Sequence, residues 1–134
     1  MPTGLTQDAG WQIGVSKTLP QPLSAVWEFI ASPEGIALWL GEGAVLPSSP
    51  PPAKGTRYET ADGVTGEVRG YRPGDRIRAT HGATTVQVAV SASGSDRTVL
   101  RFHQEHLASA DERERQRAHW QAVMARVAAA LGRA

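Results

Sequence analysis

Hydrophobic and polar positions alternate from Trp11 to Thr18, with Trp11, Ile13 and Val15 on one parity and Gln12, Gly14 and Ser16 on the other. That period of two predicts a half-buried strand. Leu19-Pro20-Gln21-Pro22 ends it, because two prolines cannot feed a hydrogen-bonded ladder. The period then lengthens. Leu23, Val26, Trp27 and Ile30 recur at helical spacing with Phe29 beside them, and Pro22 suits a first helical turn. Ser32-Pro33-Glu34 predicts a second start: a serine N-cap, a proline at the first position and an acid at the positive end of the dipole. Ile36, Leu38, Trp39 and Leu40 follow, and Gly41 closes this second short helix. Val45 to Ala53, with Pro47, Pro50, Pro51 and Pro52, predicts a stiff, exposed, polyproline-like connection.

Five extended segments follow, each ending in turn residues: Thr56 to Thr60, Val64 to Tyr71, Arg76 to His81, Ala83 to Ser91 and Arg97 to His106. Asp62-Gly63 is a hairpin signal, and short turns between successive strands predict an antiparallel meander. The last segment is a long helix. Ser109-Ala110-Asp111-Glu112 fits a capping box, Trp120, Val123, Met124, Val127 and Leu131 form one apolar stripe, and Gly132 is the expected stop. Arg113, Glu114, Arg117 and Arg126 fall on the opposite face, and Asp111–Arg115 is an i, i+4 pair. A sheet with one apolar face and a helix with one apolar stripe bury both if the sheet curls around the helix. The expected class is α+β: a curved antiparallel sheet wrapped around a long C-terminal helix, with two short helices after the first strand. A curved sheet does not close on one helix along its whole length, so space is expected between them.

Length and composition narrow this further. At 134 residues the chain buries roughly two-thirds of its unfolded surface and needs no staples. Residues 1–9 carry no periodicity and are expected to form a flexible N-terminal arm before one domain over residues 10–134. Lys and Arg number 14 against 13 Asp and Glu, a formal charge of +1, which argues against nucleic-acid binding. The chain has no cysteine, so disulfides, thiolate metal sites and a cysteine nucleophile are excluded. No signal peptide and no membrane-length apolar run is visible, and a cytoplasmic location is expected.

Three segments resemble a known family. Pro20 to Trp27, a proline-led turn opening a helix on Val26-Trp27, continues into Ser32-Pro33-Glu34-Gly35-Ile36-Ala37-Leu38-Trp39. Gly66-Glu67-Val68 is followed by Pro73 and Arg76-Ile77, and His119-Trp120-Gln121-Ala122-Val123-Met124 lies in the last helix. Their order and spacing resemble the helix-grip fold of the START-like (SRPBCC) superfamily, and more narrowly the bacterial relatives of the activator of the heat shock protein 90 ATPase (AHSA1-like). The proline-rich stretch Leu46 to Lys54 departs from that pattern. The superfamily hosts lipid carriers, aromatic-polyketide cyclases, receptors and co-chaperone domains, so the resemblance implies a fold and only a choice of functions. A chaperone partner is implied by the resemblance alone.

Trp27 reads as core, and Trp39 and Trp120 read either as core or as the lining of a ligand cavity. His81 shares parity with Ile77 and Ala79, and Gln104 and His106 share parity with Leu100 and Phe102, so an inward polar set is open; strand ends that bend outward would instead give these groups to water. His103 and Glu105 lie on the opposite parity to His106, which denies a zinc site even with His119 approaching from the helix. There is no G-x-S-x-G elbow, phosphate loop or dinucleotide fingerprint. Glu59 and Glu67 share parity with Arg57 and Arg69, a solvated outer face. Arg69, Arg72, Arg76, Arg78 and Arg101 would meet an acidic partner if they gathered on one face, but Glu67 and Asp75 weaken that field.

No catalytic set emerges. The expectation is binding or carriage of a small hydrophobic or amphipathic molecule (a lipid, polyketide or aromatic) between helix and sheet, without metal or cofactor. Its lining is expected from Trp39, Tyr58, His81, Val88, Phe102, Trp120 and Met124. The alternatives are a cyclase or dehydratase on an aromatic or polyketide-like substrate, with His81 as acid or base, and a co-chaperone-like interaction module. A homodimer through an edge strand or the meander face stays open.

Overall fold

Two prolines divide the first long strand from the first helix, and a serine cap divides the helices from each other. In the computed structural model, which describes residues 5–6 and 10–133, the elements run β1 (Leu5–Thr6), β2 (Gly10–Leu19), α1 (Leu23–Ile30), α2 (Pro33–Trp39), β3 (Arg57–Glu59), β4 (Thr65–Arg72), β5 (Arg76–His81), β6 (Thr84–Ala92), β7 (Thr98–Leu107) and α3 (Ala110–Arg133). Of the expected arm, Leu5–Thr6 form β1, paired on Trp11 and Gly10; the rest lies outside the described residues.

The Ser32 hydroxyl accepts the Gly35 amide at 3.1 Å, as expected of an N-cap, with Pro33 in the first turn. Gly35 has a second role. A Cβ there would fall on the Phe29 carbonyl, so only glycine lets α2 start against the last turn of α1. The Trp39 indole donates to the Ile30 carbonyl at 3.0 Å, satisfying one of the open carbonyls at the end of α1.

The described strands form one antiparallel sheet in the order β1-β2-β7-β6-β5-β4-β3, so the first long strand lies beside the last. Val86, Val88 and Val90 of β6 all face the core, against Ile77 and Ala79 of β5 and Leu100 and Phe102 of β7. The α3 stripe of Trp120, Val123, Met124, Val127 and Leu131 is buried against this face, which is the grip the two apolar surfaces demand. Its start is a variant capping box: Ser109 Oγ accepts the Glu112 amide at 3.1 Å, and Glu112 reaches back to the Ala108 amide at 2.9 Å.

Three expectations are corrected. Gly132 does not stop the helix, which runs on to Arg133; an exposed glycine in a last turn weakens a helix without ending it. Arg113 is not on the solvent face, because its Nε donates to the Gln12 carbonyl at 2.7 Å and ties α3 to β2. Glu114 pairs with Arg113 and Arg117, at 2.9 and 3.2 Å, where an Asp111–Arg115 pair was expected. The strict alternation of β7 also fails at its end. A register shift opposite Trp11/Ile13, with His106 at φ 65°, turns His106 to solvent and Leu107 into the core.

Candidate functional site

At one end of the grip the sheet and α3 part, and a cavity of about 280 Å³ remains between the end of α2, the β3–β4 turn, β5 and α3. Three of the residues expected to line a cavity do so: Trp39, His81 and Trp120. The others pack behind it. Tyr58 sits beside His81, Phe102 stacks on Trp120 at 4.9 Å, and Val88 and Met124 lie in the filled core. The expected space is thus confined to one end, because aliphatic and aromatic side chains close the rest.

The polar wall is ordered by a directional chain of hydrogen bonds. The Trp120 indole, a donor only, gives its proton to Gln104 Oε1 at 2.9 Å. That fixes the amide: Gln104 Nε2 donates to Thr84 Oγ1 at 3.0 Å, and Thr84 donates to the His81 carbonyl at 2.7 Å. Gln104 is only 4% exposed yet lines the cavity, and its bond to Thr84 uses only one of its two amide hydrogens.

His81 is set from the other side. Tyr58 donates its one hydroxyl proton to the Thr80 carbonyl at 2.6 Å, so the 2.7 Å contact between the same oxygen and His81 Nδ1 must carry the hydrogen of the imidazole. In the neutral ring this leaves Nε2 with a free lone pair. Desolvation holds His81 below its ordinary pKa; the charge of Asp62 opposes the shift and His119 adds to it. Burial raises the Tyr58 phenol far above its usual range, so it stays protonated. The Tyr58 ring reaches Thr80 by lying across its register partner Gly66, where any Cβ would meet both the Thr80 carbonyl and the tyrosine ring.

The rim carries Glu42, Asp62, Gln116 and His119. Asp62 is held below the ordinary carboxylate range, first by the Thr60 hydroxyl and then by backbone amides, with partial desolvation opposing. Thr60 also accepts the Val64 amide at 3.0 Å, closing the Asp62-Gly63 turn. His119 meets the edge of Trp120 at 4.9 Å; desolvation and then Arg126 hold its pKa down. The parity of β7 left an inward Gln104 open, and Gln104 was not among the residues expected in the lining. Gln116, His119 and Trp120 share one turn of α3, and that spacing was a usable signal. Glu42 and Asp62 lie in loops and gave none.

The other candidates separate from this site. His103 contacts Gln12 Oε1 at 2.8 Å, and among the described residues no group of three His, Asp or Glu side chains converges to hold a metal ion. Glu67 pairs with Arg69 at 2.9 Å, and Glu105 with Arg78, so the outer-face arginines are partly neutralised. No described helix is long and apolar enough to cross a membrane.

No family model and no curated protein matches the chain. Solved structures do. DynU16, a protein of the dynemicin biosynthetic locus, superposes with a TM-score of 0.71 at 23% identity over 90% of this chain; the match spans 47% of DynU16. CalU16 from Micromonospora echinospora matches with a TM-score of 0.72 at 16% identity, over 87% of this chain and 71% of its own. The Aha1 dimer from Colwellia psychrerythraea matches with a TM-score of 0.71 at 12% identity, over 90% and 95%. At such identities the likeness is one of architecture: the chain has the helix-grip fold, a curved antiparallel sheet closed on a C-terminal helix.

Proposed function

We propose that the chain binds a small hydrophobic or amphipathic molecule, of the lipid, polyketide or aromatic kind, in the cavity between α2, α3 and the sheet. One observation carries this reading: two tryptophans, the imidazole of His81 and the buried amide of Gln104 line one open cavity of about 280 Å³. That is close to the lower end of ligand sites, about 300 Å³, and nearly twice the ~150 Å³ that holds benzene. A titration of intrinsic fluorescence with a panel of fatty acids and flavonoids tests it. Binding should disappear in Ala61→Trp, which fills the mouth from an exposed position. Equal binding to wild type and this variant, or none to either, overturns the reading.

The half-buried, neutral His81 also favours an enzymatic reading, proton transfer in a cyclase or dehydratase acting on an aromatic or polyketide-like substrate. The location of DynU16 in a biosynthetic locus is in keeping with this. The measurement is turnover: His81→Gln should retain ligand and lose reaction, whereas a carrier shows no reaction in either form.

A further inference from the structure

We infer that the cavity selects neutral hydroxyaromatic molecules and rejects carboxylates, an inference that rests on the cavity being a binding site. Its wall contains two carboxylates, Glu42 and Asp62, and no lysine or arginine. The remaining ionisable groups of the wall are His81 and His119, and desolvation keeps both on the neutral side. Arg126 acts on His119 but does not line the cavity. A carboxylate entering this space leaves its hydration behind and meets like charge with no cation to pair with.

The hydrogen-bonding groups point the same way. His81 Nε2 accepts, because Nδ1 holds the ring proton toward Tyr58. Gln104 donates, because Trp120 occupies its oxygen and Thr84 takes only one of its two amide hydrogens. A hydroxyl gives a proton to the first and accepts one from the second; a carboxylate can only accept. The indole nitrogens of Trp39 and Trp120 are both spent on protein partners, the Ile30 carbonyl and Gln104. Both rings therefore offer carbon surface alone, which suits a planar aromatic body. The volume suits two fused rings better than one.

Isothermal titration at pH 7.5 with 2-naphthol and 2-naphthoate separates the terms, since the two share a ring system and differ in the polar group. We expect 2-naphthol to bind about tenfold tighter or more. Equal affinity, or tighter binding of naphthoate, overturns the selectivity and leaves the binding site standing. Failure of both to bind at about 1 mM overturns the selectivity together with the site. Glu42→Lys supplies the control, because Glu42 is exposed and only its backbone carbonyl is used by the fold, toward the Ala61 amide. The variant should lower the preference for 2-naphthol over naphthoate by about fivefold, through a gain for naphthoate. An unchanged naphthoate affinity overturns the electrostatic argument.

Discussion

Replacing Gln104 by leucine keeps the approximate volume and removes the amide that joins α3 to the sheet. The Trp120 indole N–H, in a side chain 2% exposed, then loses its acceptor, while Thr84 keeps its own bond to the His81 carbonyl and loses only a donor. An unsatisfied buried donor costs about 1–3 kcal/mol, and the lost amide–hydroxyl bond about 0.5–1.5 kcal/mol. Leucine recovers part of this, because it buries apolar surface in place of an amide. The adjoining cavity lets water approach the orphaned indole N–H. The net expectation is a destabilisation of about 2 kcal/mol. With a urea slope of about 2 kcal/mol/M that moves the midpoint down by about 1 M with the slope unchanged. Far-ultraviolet circular dichroism is the assay, since tryptophan emission would itself respond. In a double-mutant cycle with Trp120→Phe, where the donor is absent, the Gln104→Leu penalty should shrink by about 1 kcal/mol or more. A neutral or stabilising Gln104→Leu, or a coupling near zero, would refute the claim that this amide is a structural link between helix and sheet.

Gly66→Ala should destabilise by about 3 kcal/mol or more, because its methyl collides with the Thr80 carbonyl and the Tyr58 ring; a urea midpoint within error of wild type would show that β4 can move aside. Tyr58→Phe removes the group that holds His81 Nδ1–H, so nitrogen-15 spectra of the imidazole should change from one tautomer to a mixture, with about 1 kcal/mol of stability lost; an unchanged tautomer disproves the assignment. His81, His103 and His119 all have native pKa values below the ordinary 6.5, each chiefly through desolvation. The unfolded chain therefore takes up protons first, and stability should fall as pH drops below 6.5 until the native histidines titrate. Urea midpoints at a series of pH values that stay level or rise on acidification contradict this.

The fold was legible because its strongest patterns are local. The inward valines of β6, the serine cap and proline of α2 and the α3 stripe each sit within one element, and each is where its period placed it. The β5 strand runs over Arg76–His81, the segment that turn residues on both sides had marked. The cavity was only partly legible, because its polarity depends on contacts between elements. His81 is oriented by Tyr58, 23 residues earlier, and Gln104 by Trp120, 16 residues later. Strand parity put Val88 and Phe102, and helical spacing put Met124, on the inner face correctly, but neither period says where along that face side chains fill the volume. Parity also fails at a bulge: one residue with positive φ was enough to exchange the sides of His106 and Leu107.

The pairing of β2 with β7 has a consequence for how the protein is made. Gln12 and His103, in contact across that joint, are 91 positions apart. At ribosomal rates of about 5–20 residues per second, β2 waits roughly 5–20 s for its long-range partner to be synthesised. The meander from β3 to β7 needs no such delay, since each strand follows its neighbour through a short turn. Vectorial synthesis therefore favours assembly from the C-terminal half, with the earliest long strand docking late, beside β7 and under α3, whose Arg113 then clasps the Gln12 carbonyl.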